Sequence, residues 1–228
     1  MKRLLICSLL FLAGSVTTAN ASLLGPTSYL SFADSPFSLL AYQYFYNETF
    51  EDHLLNTPGV TATPGFVTSI GFAFGRDSVD ADDGSIDGSG SPGDSYFSGA
   101  GSQGITFTFN EVILGALPDN VGIVWTDGGG TIGFEAFDAA NQSLGVVNGT
   151  HADFSNGGTT AEDRFYGAIN AGGISRIHIW NTSGGIEVDH LQYGLTVTSV
   201  PLPGAMVLFG SSLFGMLGLM FRKQNKLA

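Results

Sequence analysis

Apolar residues in the body of this chain recur at every second position. Ile105-Thr106-Phe107-Thr108-Phe109 alternates without a break, as do Ile177-His178-Ile179 and Ile186-Glu187-Val188-Asp189. A period of two sends successive side chains to opposite faces, which suits a strand with one face buried. The same reading predicts strands at 42–50, 67–74, 121–126, 132–137, 165–169 and 193–197. Glycine-rich punctuation separates them: Thr57-Pro58-Gly59, Asp127-Gly128-Gly129-Gly130, Asn148-Gly149, Asn156-Gly157-Gly158 and Ser183-Gly184-Gly185. With no helical stretch of useful length between the ends and no repeat of 20–50 residues, the expected fold is all-β, a single β-sandwich of jelly-roll type over residues 22–199.

The two ends read as addresses. Lys2 and Arg3 precede an apolar run from Leu4 to Gly14, and Ala19-Asn20-Ala21 places small residues where a signal peptidase cuts, so residues 1–21 are expected to leave before Ser22. Cys7, the one cysteine, would leave with them. From Gly204 to Phe221 the chain is uncharged, and Arg222, Lys223 and Lys226 follow. As a helix those 18 residues would reach roughly 27 Å, enough to cross a bilayer core of ~30 Å, with the cations on the cytoplasmic side.

Val200-Pro201-Leu202-Pro203, the apolar run and the basic tail together resemble the PEP-CTERM sorting signal of Gram-negative bacteria. The resemblance covers about the last 28 residues, and Leu202 stands where the commonest form has Glu. It implies processing by an exosortase, a membrane protease-transpeptidase, and release to the cell surface or an exopolysaccharide matrix. A permanently anchored envelope protein is the alternative for the same tail.

Removing both ends leaves Arg76, Arg164 and Arg176 against all 20 acids, a net charge of −17 with no lysine. Such a surface repels nucleic acid. It also repels itself unless a cation neutralises part of it, and outside the cytoplasm calcium is the available hard cation. Two carboxylate groups are candidates. Glu51 and Asp52 close an early strand, while Glu187 and Asp189 share one face of the last long strand. If those strands are neighbours, the four converge, in a pattern that loosely resembles the structural calcium site of galactose-binding and carbohydrate-binding jelly rolls. Solvated edge acids are the other reading. The second group, Asp80, Asp82, Asp83 and Asp87, lies in a Gly/Ser-rich loop that lacks EF-hand spacing, since Ser91 stands where a bidentate Glu is needed. It reads as an irregular calcium loop or a solvated one.

Catalysis has little to stand on. There is no G-x-S-x-G elbow, and His53, His151, His178 and His190 lack metal-ligand spacing. Glu162-Asp163 could serve a glycosidase only across a cleft. Trp125, Trp180 and Tyr193 fit either a core or a sugar-stacking platform. The expected function is that of a non-catalytic exported protein, calcium-stabilised and associated with polysaccharide, with a secreted glycan-active hydrolase as the rival.

Overall fold

The structure is a computed structural model that describes residues 21–68, 77–91, 93–154 and 161–197. Ten strands form one antiparallel sheet: β1 (Ser22–Ser28), β2 (Tyr42–Glu48), β3 (Val60–Thr63), β4 (Phe66–Val67), β5 (Tyr96–Ser98), β6 (Ile105–Phe109), β7 (Asn120–Asp138), β8 (Ser143–Gly149), β9 (Arg164–Ile169) and β10 (Ile174–Thr196). A short helix, α1 (Glu111–Leu114), is capped by Asn110, whose side chain accepts from the amides of Val112 and Ile113. Among the described residues no helix is long and apolar enough to cross a membrane.

β7 and β10 are the spine. They pair with each other along nearly their whole length. On the far edge of β10 sit three short strands end to end: β6 against 176–179, β5 against 186–188 and β2 against 191–196. On the far edge of β7 lie β9 and β8, and β1 closes the sheet outside β9. β3 and β4 extend it beyond β6 and β5.

The sheet folds over on itself. Residues 174 and 194 of a straight strand would lie about 66 Å apart. Here both ends of β10 bond to one peptide unit: the Pro118 carbonyl accepts from Ile174 N at 2.8 Å, and Asp119 N donates to Gly194 O at 2.9 Å. Tyr193 packs its ring 5.0 Å from Phe109 of β6, although β6 pairs with the opposite end of β10. The all-β expectation is met, but the two layers belong to one hydrogen-bonded sheet rather than two.

The fold lies where the sequence had suggested loops. Gly128–Gly130 and Ser183–Gly185 are the paired, irregular middles of the two long strands, with Ser183 opposite Gly129 and Ile186 opposite Gly128. Gly184 has φ 74° and Gly128 φ 152°, and a Cβ on Gly128 would meet Gly185 O at 2.9 Å and the Trp125 ring at 2.9 Å. Only glycine permits this backbone to bend so sharply while still pairing. The predicted segments 121–126 and 132–137 therefore merge into β7, and those at 177–179, 186–189 and 193–197 into β10. β1, β3, β5 and β8, short or weakly alternating, are additional. The predicted strand 42–50 stops at Glu48, and of 67–74 only the start is described, in β4.

The folded sheet encloses one large apolar cluster. Val121, Ile123 and Trp125 from one half of β7 meet Ile132, Phe134 and Ala136 from the other, with Ile177, Ile179, Ile186, Val188, Leu191 and Tyr193 of β10 beside them. Burying each such side chain contributes about 1.5–3 kcal/mol. A smaller cluster on the outer face joins Tyr29, Phe37, Val79, Val124 and Phe165. It fastens the 29–37 and 77–81 segments over one half of the β7–β10 pair.

Candidate functional site

The apolar positions of β10 reveal a break in parity. Ile186 and Val188 face the core, and so do Leu191 and Tyr193. Even numbers give way to odd because the ladder slips between Asp189 and Gln192, where His190 takes φ 44°. This bulge has a chemical consequence: Asp189 and His190, adjacent in sequence, both turn away from the core, alongside Glu187 and Gln192.

The 77–81 segment lies over these side chains and is tied down by them. Asp77 N donates to Glu187 Oε2 at 2.7 Å, and Val79 N donates to Asp189 Oδ2 at 2.9 Å. Asp189 Oδ1 accepts from His190 N at 2.6 Å, and Thr126 Oγ1 donates to the Asp77 carbonyl at 3.0 Å. His190 places Nδ1 3.0 Å from Tyr29 Oη and Nε2 3.3 Å from Asp80 Oδ2. Tyr29 Oη also accepts from Gln192 Nε2 at 2.9 Å, and Gln192 Oε1 accepts from Ser35 Oγ at 2.5 Å. One ligand atom each from Asp80, Asp189 and His190 lies within 4.8 Å of the others.

Burial controls the electrostatics. Asp189 is fully enclosed, and this pushes its carboxyl up to about 7 even though His190 and two amides favour its charge. Asp163, just before β9, is 1% exposed and rises well above the usual carboxylate range through burial, with Asp77, Asp82, Asp189 and Glu162 adding repulsion. Burial alone would depress His190, but Asp189 and Asp80 outweigh it and hold its pKa above the ordinary value. Nearby, burial raises Glu51, whose charge also feels Asp80, Asp94 and His190.

The candidates read from the sequence separate here. The early strand β2 does neighbour the last, with Glu48 opposite Leu191. Glu187, Asp189 and Asp80 join the buried group, and Glu51 lies at its edge while accepting from Asp94 N at 2.6 Å. Asp52 is exposed and accepts from Leu54 N and Asn56 Nδ2. Asp82 caps its own turn by accepting from the amides of Asp87 and Gly88, Asp83 accepts from Ser89 Oγ, and Asp87 from Ser89 N. Trp125 and Tyr193 are core, while Trp180 is half-buried and stacks on His178 at 5.1 Å. Val200, Pro201, Leu202, Pro203, Arg222, Lys223 and Lys226 lie outside the described residues, as do 1–20.

His190 and Asp163 were missed as members of the group. The parity break between Val188 and Leu191 was the available signal for His190. Asp163 had none, because its position depends on β9 pairing with 120–125 of β7.

No protein-family model matches the chain, and no curated protein matches it. Among solved structures it is similar to the enzymatically active domain of tailspike protein 4 of bacteriophage CBA120, at 15% identity and a TM-score of 0.30 over 65% of this chain. The match spans 20% of that chain, so this protein corresponds to about a fifth of its length.

Proposed function

We propose that the chain is an exported, non-catalytic protein, cut by signal peptidase, passed to an exosortase and retained at the cell surface or in an exopolysaccharide matrix. A divalent cation, with calcium the one its composition and route suggest, holds its acidic half together. The observation that carries this reading is the burial of several carboxylates under the 77–81 segment, in a body, residues 22–199, that has no lysine to balance them. Enclosed carboxylates that outnumber the cations beside them are costly without further counter-charge.

Sequestration also favours a non-catalytic role. A glycosidase needs two carboxyl groups lining an open cleft. Here Glu187 and Asp189 are covered and bonded to backbone amides, and Asp163 is enclosed. Polysaccharide would find its aromatic surface instead at half-buried Trp180, on the uncovered half of β10.

The test is the mass of the mature protein recovered from the cell surface or medium. A chain beginning at Ser22 and lacking the apolar run and basic tail is expected. A chain retaining residues 204–228 would instead make it a permanent anchor. Turnover of a glycan panel, abolished by Glu162→Gln, would replace the non-catalytic role with that of a hydrolase.

A further inference from the structure

The buried group contains a nitrogen donor. The bulge that turns His190 onto the outer face also fixes its ring, because Nδ1 is engaged with Tyr29 Oη while the Tyr29 oxygen is held by Gln192. Nε2 lies 3.3 Å from Asp80 Oδ2, and one ligand atom each from His190, Asp80 and Asp189 lies within 4.8 Å of the others. Metal-bound histidines are oriented in this way, through a hydrogen bond at the ring nitrogen that does not bind. A second observation is independent of that set. Asp163 is 1% exposed, its Oδ2 has no hydrogen-bond partner among the described residues, and its backbone carbonyl accepts at 3.3 Å from the amide of Tyr29, the residue whose phenol holds His190. An enclosed carboxylate oxygen beside other carboxylates calls for a cation.

We propose that this face binds a first-row divalent ion, manganese or zinc, through Asp80, Asp189 and the His190 ring. The inference rests on a divalent cation holding the acidic half and changes its class. Sites made only of oxygen suit calcium, whereas an imidazole shifts preference toward first-row metals. Asp80 is the half-exposed member, with its side chain 44% accessible, and gives the ion its way in. Bound there, the ion links β10 to the 77–81 segment.

The test is calorimetric titration of the full chain with manganese, zinc and calcium chlorides, for the native protein, His190→Asn and Asp52→Asn. Asparagine is chosen because it tolerates the left-handed backbone at 190. Manganese or zinc should bind at one site at least about tenfold more tightly than calcium, which is about 1.4 kcal/mol. His190→Asn should abolish that preference and Asp52→Asn should leave it intact. If His190→Asn does not fold, manganese should broaden the His190 ring resonances of the native protein far more than those of His178, which lies on the open half of β10. Calcium binding as tightly as manganese and zinc, unchanged in His190→Asn, would overturn the nitrogen-ligated site while preserving the calcium reading. Binding of no divalent ion at all would overturn both, with His190 then acting as the cation that pairs with Asp80 and Asp189.

Discussion

β7 and β10 run side by side through two regions that share a core and differ on their outer face. Around 174–180 and 132–138 the outer residues Glu135, Phe137, Arg176, His178 and Trp180 are only half-buried. Arg176 lies 3.2 Å over the Phe137 ring, and His178 stacks on Trp180. Around 187–192 and 120–127 the outer residues Val124, Thr126, Glu187, Asp189, His190 and Gln192 are all buried. The difference comes from what covers them. In the second region the small cluster of Tyr29, Phe37, Val79 and Phe165 pins two segments across the sheet and excludes water. A charge in the first region remains hydrated. In the second it must be neutralised by a proton or a cation.

The contrast can be broken at several points. The largest effect belongs to what the regions share. Ile179→Ala and Val188→Ala remove fully buried side chains from the same core, one in each region. Urea unfolding should show losses of roughly 2–5 kcal/mol for the isoleucine and somewhat less for the valine, with or without added metal. A loss for Ile179→Ala below about 1 kcal/mol would mean that the folded sheet does not enclose a common core.

Next comes pH, which acts most on the enclosed groups. Burial pushes Asp127 up to about 7, with Asp153 adding repulsion. A carboxyl whose pKa is higher in the folded state binds its proton more tightly there. Its stabilising contribution is thus complete below about pH 4 and is lost as the pH rises toward 7. Metal-free protein should lose stability between pH 5 and 8, and Asp127→Asn should reduce that loss by about 1–3 kcal/mol. His151, depressed to about 4 by burial and by Arg164, contributes in the opposite sense, its stability being lost as pH falls from about 6.5 to 4. A midpoint that climbs steadily from pH 5 to 8 would show that the carboxylates are hydrated.

A smaller effect is expected from Tyr29→Phe, which removes the phenol that orients His190 and accepts from Gln192. It should cost about 1–2 kcal/mol by thermal unfolding and weaken divalent-ion binding. The smallest belongs to the open region: Glu135→Gln should stay within about 0.5 kcal/mol of the native protein. A larger change there would erase the distinction between the two faces.

Much of this was readable before the fold was known. Alternation in 105–109 and 177–179 placed the core side of β6 and β10, and it predicted that Glu187 and Asp189 share a face. That β2 neighbours β10 entered only as a condition of the four-carboxylate reading, because alternation within a strand does not select its partner; the pairing of Glu48 with Leu191 meets it. Glycine was the main source of error. Gly128–Gly130 and Gly184–Gly185 carry the composition of turns, but each faces the other across the ladder, and pairing between residues over fifty positions apart keeps both in strands. Local sequence signals the bend and is silent about its partner. Asp82, Asp83 and Asp87 looked equivalent to Asp80, and only the path of the 77–81 segment over β10 separates them.

The central claim is that the covered, acidic half of the sheet is completed by a bound divalent ion. The most direct measurement is the urea midpoint of the full chain at pH 7.5, first in excess EDTA and then with manganese, zinc or calcium in excess over the chelator. At about 100 times its dissociation constant, an ion bound only by the native state adds about 2.7 kcal/mol, so the midpoint should rise well beyond error. Superimposable unfolding curves in EDTA and in all three metals would contradict the account.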